Sequence, residues 1–388
     1  MIYSNNHIFI ALSILLFSCN QPYEPGPADT DFTKKTSHQT NGWATDVMVN
    51  PNDVSEFIYI DDISGLNILD TNTDPISKQE FEKPESSNEQ DSDTKLNGML
   101  ISDYTQSDDL LLFTYDNYNN IWGRRYSDIK NDFGNANALG DAVKCGAEDM
   151  VHGDNRYPVR FTVTDNSSHL FILFDHPLSL STSNYDDSYI LGKRTLYRAA
   201  ISVDDEDGYI ELQDGCTLMS EISYDGLIDS TLSFTNETSD VIYYNNSLYI
   251  SNPTNNEITI ITNPLDNTSS ISHIAIDSPE EIFIYNDIIY VAQQGYMGVT
   301  AIDIDGNIIG SFGAGFTVKD VFVDTNSNFI ALSCGYHGVL IYKIVNGRKF
   351  TDNIALSTSF AYSSIIQNNF VYVATKNGLE IIDLTEDL

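Results

Sequence analysis

Four acidic residues stand directly before short runs of β-branched and aromatic residues: Asp46, Asp240, Glu281 and Asp320. If those runs line a common channel, the carboxylates form a partial ring at its mouth. Their mutual repulsion would then be relieved by a bound cation, such as a structural Ca²⁺. The alternative is that each acid caps the backbone of its own turn, which is the simpler interpretation. No other cofactor is implied.

Two glycine-framed loops carry a second set of candidates. Tyr296 and Met297 lie between Gly295 and Gly298, and Tyr336 and His337 lie between Gly335 and Gly338. Paired side chains of this kind can stack on sugars or on a partner's side chains. The alternative is that glycine serves a positive φ in the turn and tyrosine packs over it.

Catalytic motifs are absent from the sequence. It contains no G-x-S-x-G, no H-E-x-x-H, no phosphate loop and no C-x-x-C, and the histidines share no ligand spacing. No catalytic residue is therefore proposed, and whether the chain is an enzyme stays open. Cys145 and Cys216 can form a disulfide in an oxidising compartment.

A repeat organises the C-terminal half of the chain. Gly298, Gly338 and Gly378 lie 40 residues apart, and each precedes a short apolar run. Two further apolar runs precede it in each copy and another follows it in some copies, with Asn, Asp, Gly and Ser between the runs. Four short strands in about 40 residues are typical of a propeller blade. Five units are clear, and two diverged blades are expected between Lys95 and Gly215.

The third strand of the repeat reads Gly-Leu-Glu-Ile-Ile-Asp at 378–383 and Gly-Leu-Asn-Ile-Leu-Asp at 65–70. It resembles the LVIVD repeat of bacterial extracytoplasmic proteins. This resemblance and the period together imply an all-β fold, a β-propeller of seven four-stranded blades, with six or eight as alternatives. Because the chain ends soon after a third strand, a segment before Trp43 is expected to supply the missing outer strand.

The N-terminus predicts export. Ile8 to Phe17 is apolar and has the length of a signal-peptide core. Residues 16–19 resemble the bacterial lipobox, which implies lipidation of Cys19. We therefore expect a signal peptide at 1–18, a lipidated flexible tether at 19–42 and one propeller domain at 43–388.

The charge narrows the choice of partners. The 388 residues include 19 basic and 56 acidic side chains, a net charge of −37, which opposes nucleic-acid binding. The leading hypothesis is a non-catalytic lipoprotein of the bacterial cell envelope, expected at the outer membrane and facing either the periplasm or the cell surface. It would bind or scaffold an envelope or extracellular protein or glycan. The alternatives are a polysaccharide-active propeller hydrolase or lyase and a structural repeat protein without a ligand.

Overall fold

The computed structural model describes residues 35–73, 76–82, 95–104, 109–116, 121–134, 138–139, 142–143, 157–176, 193–219, 234–235, 240–266, 269–324, 328–345, 348–349 and 354–384. In these ranges the strands form seven antiparallel sheets, which are the blades of a β-propeller. The predicted fold class and blade number are confirmed. The diverged region after Lys95 forms the second and third blades, as expected.

The strands are numbered in chain order from β1 (Lys35–His38), which belongs to the last blade. Blade 1 contains β2 (Ala44–Asn50), β3 (Asp53–Asp61), β4 (Gly65–Asp70) and β5 (Ser77–Glu82). Blade 2 contains β6 (Leu96–Tyr104), β7 (Asp109–Asp116), β8 (Ile121–Arg125) and β9 (Ala142–Val143), with helix α1 (Tyr126–Asn131) after β8. Blade 3 contains β10 (Tyr157–Val163), β11 (His169–His176), β12 (Lys193–Val203) and β13 (Ile210–Leu218), and β14 (Phe234–Thr235) also pairs with β12.

The later blades follow the repeat more closely. Blade 4 contains β15 (Val241–Tyr244), β16 (Ser247–Asn252), β17 (Glu257–Thr262) and β18 (Ser270–Ala275). Blade 5 contains β19 (Pro279–Tyr285), β20 (Ile288–Gln293), β21 (Gly298–Asp303) and β22 (Ile308–Phe312). Blade 6 contains β23 (Asp320–Asp324), β24 (Phe329–Ser333) and β25 (Val339–Val345), with β26 (Arg348–Lys349) and β27 (Ile354–Leu356) both paired with β25. Blade 7 contains β28 (Ala361–Gln367), β29 (Phe370–Thr375), β30 (Gly378–Asp383) and β1.

Local sequence explains the hairpins that open three blades. Asn245-Asn246, Asn286-Asp287 and Asn368-Asn369 join the first and second strands, and all six residues have positive φ. Two successive positive φ values define the tight turn whose twist matches an antiparallel pair, and Asn and Asp tolerate them best among side-chain-bearing residues.

The core lies between blades. Among the described residues, seven clusters of buried apolar side chains occupy the seven contacts between neighbouring blades. Phe57 of blade 1 stacks on Tyr372 of blade 7 with ring centroids 3.6 Å apart. The first and last blades are therefore packed together like any other pair, and the ring is closed.

The predicted closing strand is confirmed. β1 pairs antiparallel with β30, from Lys35 opposite Ile382 to His38 opposite Leu379. Both faces of β30 are covered: Leu379 and Ile381 on one face and Glu380 and Ile382 on the other are all buried. The N-terminal segment thus supplies the outer strand of blade 7 and covers the edge of β30.

Several predictions fall on residues that the structure does not describe. The signal peptide, Cys19 and Cys145 lie outside the described ranges, and of Cys216 only its place in β13 is described. The signal peptide, the lipidation and the disulfide therefore stay predictions. No helix within the described part of the chain is long and apolar enough to span a membrane.

Candidate functional site

One residue from each blade stands where the innermost strand enters the central channel. Around the ring these residues, which we call the channel mouth, are Asp46, Gly98, Arg160, Asp240, Glu281, Asp320 and Ser363. In five blades a bulge at this point shifts the register of the inner strand, and bulges re-aim side chains. The four predicted acids therefore converge at one end of the channel.

Three of these acids join neighbouring blades. The backbone N–H of Met99 donates to Asp46 Oδ2 (3.1 Å), that of Ile282 donates to Asp240 Oδ2 (2.8 Å), and that of Ser364 donates to Asp320 Oδ2 (3.0 Å). In each case the donor belongs to the inner strand of the next blade. The other oxygens of Asp46 and Asp240 accept the N–H of the following residue at 2.9 Å. Capping of the acid's own turn is thus present, but it is accompanied by a bond between blades.

The channel-mouth residue of blade 3 is basic, unlike the four acids. Arg160 lies among the acids, with Nη2 3.3 Å from Glu281 Oε1 and Nε 3.8 Å from Asp240 Oδ1. Its side chain is 39% exposed, so channel water still reaches it. The guanidinium therefore supplies part of the positive charge that the sequence analysis assigned to a bound cation.

Gly98 is the channel-mouth residue of blade 2, and its lack of a side chain leaves space for the ring of Tyr115. A Cβ at Gly98 would lie 2.5 Å from the ring of Tyr115. Arg160 Nη1 donates to Tyr115 Oη at 2.5 Å. The missing side chain at position 98 thus lets Tyr115 reach the channel mouth and hold Arg160 in place.

The acids of the channel mouth have raised pKa values. Burial raises the pKa of Asp46 to about 6, and the charge of Asp320 adds to this. Burial raises the pKa of Glu281 well above its ordinary value, against the attraction of Arg160. Burial also raises the pKa values of Asp240 and Asp320, although hydrogen bonds and Arg160 oppose it. These carboxyls therefore keep their protons to higher pH than ordinary carboxyls do.

The chemistry open to this mouth is limited by its existing bonds. It encloses a cavity of about 170 Å³, which Lys319 and Tyr362 also line. Carboxyls with raised pKa can exchange protons, which keeps acid–base chemistry open. Within the described ranges no three His, Cys, Asp or Glu side chains are arranged to hold a metal ion. A Ca²⁺ here stays a proposal, for which Asp46, Asp240, Glu281 and Asp320 would be the ligands.

The glycine loops leave the ring at the same end as the channel mouth, because second strands run towards the end where inner strands begin. We call this end the glycine-loop face. Gly298 has φ +78°, and a Cβ there would lie 2.2 Å from the carbonyl oxygen of Phe312. Gly338 has φ +75° and would place a Cβ 1.9 Å from the carbonyl oxygen of Leu356. The absence of a side chain at each glycine lets the outermost strand of its blade pack closely against the glycine backbone.

We expect Gly298→Ala to lower the free energy of unfolding by about 3 kcal/mol, because it combines a strained φ with a backbone clash. Gly295→Ala, in the same loop at φ +71° with open space around it, should cost only about 1 kcal/mol. Urea unfolding of both variants measures the difference. Equal midpoints would mean that close approach of the strand is not the reason for glycine at 298.

The four predicted binding residues all reach the glycine-loop face, to different extents. Tyr336 is 66% exposed and Met297 is 42% exposed, whereas Tyr296 and His337 are half-buried. The His337 ring packs edge-on against Phe316, with centroids 5.6 Å apart. Tyr336 and Met297 are therefore the two that offer most surface to a partner.

Tyr336 belongs to a larger group, which we call the aromatic–lysine cluster: Trp43, Tyr336, Phe360, Tyr362 and Lys376. The Lys376 ammonium lies 4.4 Å from the Phe360 ring centroid, 4.5 Å from that of Tyr336 and 5.3 Å from that of Trp43. It also donates to Tyr336 Oη at 2.6 Å. Tyr362 stacks against Trp43 with centroids 6.0 Å apart. Cation–π attraction and ring stacking thus hold the cluster together.

Sequence reasoning missed Arg160, Trp43 and Lys376, although signals existed for two of them. Arg160 directly precedes a strand-like run, as the four acids do, so aligning inner strands identifies it. Lys376 lies 40 residues after Tyr336 and so occupies the equivalent loop position. Nothing in the sequence pairs Trp43 with Lys376, because closure of the ring alone brings the two ends of the chain together.

Comparisons with known proteins support the fold. No protein-family model matches the sequence, and no curated protein matches it. The chain is similar to a structure of streptogramin B lyase (TM-score 0.58, 14% identity, 90% of this chain and 97% of that one). It is also similar to U3-55K (0.56, 12%, 92% and 100%) and to the WD40 β-propeller domain of Doa1 (0.53, 11%, 90% and 95%).

The fold is a seven-bladed β-propeller. At these identities the likeness carries the architecture and no activity. The resemblance to the LVIVD repeat accordingly rests on the repeat residues themselves.

Proposed function

We propose that this chain is a non-catalytic, lipid-anchored protein of the bacterial cell envelope that binds or scaffolds a protein or glycan through its glycine-loop face. The observation that carries the proposal is the aromatic–lysine cluster on that face. Trp43 is 47% exposed and Tyr336 is 66% exposed, yet both rings are fixed by neighbours. Exposed aromatic rings that are already ordered cost little entropy on binding, which favours a recognition surface.

The bonding of the channel mouth favours binding over catalysis. Asp46, Asp240 and Asp320 each accept a backbone N–H from the next blade. Glu281 pairs with Arg160. These carboxylates act in the joints between blades, so their proximity needs no catalytic explanation.

The recognition surface should be needed for capture of the partner. We expect the immobilised full-length protein to retain a protein or a glycan from envelope extracts, and Tyr336→Ala to retain at least about 10-fold less, as for a central aromatic residue. Phe133→Ala, which removes a ring that is 53% exposed next to Phe81 in the region of blades 1 and 2, is the matched control and should bind normally. Equal recovery with Tyr336→Ala would remove the assignment of this face, and no recovery at all would favour a structural repeat protein.

The location of the protein is proposed from its N-terminus. Residues 16–19 resemble a lipobox and the repeat resembles that of extracytoplasmic proteins, which supports an anchor on Cys19 in the outer membrane. We expect Cys19→Ala to release the protein into the soluble fraction or to leave it unprocessed. Fractionation and mobility of Cys19→Ala and Cys334→Ala, the matched cysteine control, measure this. A Cys19→Ala protein that stays in the membrane and migrates like the wild type would exclude lipidation.

A polysaccharide-active hydrolase or lyase is the second candidate. The raised pKa values of Asp46 and Glu281 beside a cavity favour it, and one of the similar propellers is a lyase by name. Release of reducing ends or of unsaturated products from envelope polysaccharide, abolished by Glu281→Gln, would establish it. No product release from polysaccharide that the protein binds would support the non-catalytic proposal.

A further inference from the structure

A groove runs along the closing strand on the glycine-loop face. It has a volume of about 660 Å³ and is lined by Ser37, Gln39, Thr40, Asn41, Gly42, Trp43, Ile63, Lys376, Asn377 and Glu380. Most of its residues come from two parts of the chain that are far apart in sequence: Ser37 lies in β1, residues 39–43 follow β1, and Lys376, Asn377 and Glu380 belong to blade 7. The groove is therefore formed only when β1 closes the ring.

Trp43 forms a rigid wall of this groove. The backbone N–H of Trp43 donates to Asp62 Oδ1 at 2.7 Å, and the backbone N–H of Asp62 donates to the Trp43 carbonyl oxygen at 3.0 Å. The preceding N–H, of Gly42, donates to Asp61 Oδ2 at 3.0 Å. Two buried carboxylates thus hold the backbone on both sides of an indole ring that remains about half exposed. Such a flat, fixed apolar surface suits the apolar face of a sugar ring.

Most of the remaining lining is uncharged and polar, and Glu380, whose side chain is buried, is the one acidic residue among the lining residues. Gln39, Asn41 and Asn377 are exposed side-chain amides, and Ser37 and Thr40 carry hydroxyls. Amides offer donors and acceptors together, which is the pattern that sugar hydroxyls require. Ile63 is the one aliphatic side chain among the lining residues. A groove of this composition suits a hydroxylated ligand better than the apolar anchors of a protein partner.

Two ammonium groups flank the indole in a protein of net charge −37. Lys376 Nζ lies 5.3 Å from the Trp43 ring centroid and Lys95 Nζ lies 5.7 Å from it. Lys95 is also 3.5 Å from Asp62 Oδ2, whereas Lys376 donates to the neutral hydroxyl of Tyr336. Lys376 thus contacts aromatic rings and a neutral hydroxyl beside the groove, and the sign of its side chain is opposite to that of the protein's net charge.

We propose that this groove binds an acidic saccharide, with one sugar ring stacked on Trp43 and a uronic-acid carboxylate paired with Lys376. This inference rests on the proposed binding function and names the class of partner. Because β1 and β30 both contribute to the groove, ligand binding is linked to ring closure. Saccharide binding should accordingly raise the unfolding midpoint of the ring.

Calorimetric titration of the full-length protein tests the proposal. The probes are trisaccharides of galacturonic, glucuronic and mannuronic acid, with the neutral galactose trisaccharide as control. At least one uronate should bind, and more tightly than the neutral sugar. Trp43→Ala should lower the affinity for the uronate about 10-fold. Lys376→Met should weaken the uronate about 5-fold, leave the neutral sugar unchanged and reduce the effect of added salt. Phe133→Ala should behave as wild type.

Tryptophan fluorescence locates the bound sugar. The chain has two tryptophans, of which Trp43 is exposed and Trp122 is buried. A uronate should change the emission of the wild type and of Trp122→Phe, but not of Trp43→Phe, in which stacking is retained. Uronate binding that is indifferent to Trp43 and Lys376 would overturn the site.

Failure of this inference can be told apart from failure of the proposed function. If none of the uronates binds at millimolar concentration while Tyr336-dependent capture of a protein persists, the binding function stands and the acidic saccharide is wrong. If the uronates bind as expected, both stand. If neither saccharide nor envelope material binds, both are wrong.

Discussion

Deleting Phe32 to Asn41 is expected to lower the free energy of unfolding by about 4 kcal/mol, whereas deleting Asn20 to Ala28 should change it by less than about 0.5 kcal/mol. The first deletion removes β1, whose four residues pair with β30. About four backbone hydrogen bonds at about 1 kcal/mol each are then lost, and β30 becomes an open edge. Urea unfolding with matched protein concentrations measures the difference.

A point variant separates loss of the strand from loss of chain length. Gly378 has φ +105°, and a Cβ there would lie 2.2 Å from the carbonyl oxygen of His38 in β1. Gly378→Ala should therefore weaken the same pairing while every residue remains present. Equal urea midpoints for the two deletions, with Gly378→Ala close to wild type, would mean that β1 contributes nothing to ring stability.

Arg160→Met is expected to destabilise the ring by about 3 kcal/mol at pH 8 and by much less at pH 5. The substitution keeps a long side chain but leaves the acids of the channel mouth without the guanidinium. Removing one partner of a fully buried ion pair costs about 3–5 kcal/mol. The lower figure applies here because the Arg160 side chain is 39% exposed and channel water screens it.

The pH dependence follows from the direction of the pKa shifts. The folded-state pKa of Asp46 is raised from 3.8 to about 6, so its stabilising contribution is present below about pH 4 and is lost as the pH rises through 6. Glu281 is raised in the same direction. Without Arg160 these pKa values should rise further, so acidification should restore stability.

Lys319→Met is the matched control for the loss of Arg160. Lys319 also lines the cavity and carries the same charge, but it is exposed. Lys319→Met should lower the free energy of unfolding by less than about 1 kcal/mol at either pH. Urea unfolding at pH 5 and pH 8 compares the variants. A loss for Arg160→Met that is the same at both pH values would show that the side chain acts by packing and not by charge.

The blades could be read from local sequence patterns. The spacing of Gly298, Gly338 and Gly378, the alternation of short apolar runs and the Asn-rich turns are local features, and each acts within one repeat of about 40 residues. Closure by the N-terminal segment was also predictable, because only three strand-like runs are recognisable in the last repeat and an open edge is unfavourable. The convergence of four acids followed from their common place before the inner strands.

The surroundings of those acids and the side chains exposed on the glycine-loop face depend instead on contacts between blades that are distant in sequence. Arg160 stands in a diverged blade, and its partners Asp240 and Glu281 are distant in sequence, so their pairing depends on the order of blades around the ring. Trp43 and Lys376 meet because β1 pairs with β30. A repeat pattern reports contacts within a blade and between neighbours along the chain, whereas the channel mouth and the closing seam combine side chains from the whole ring.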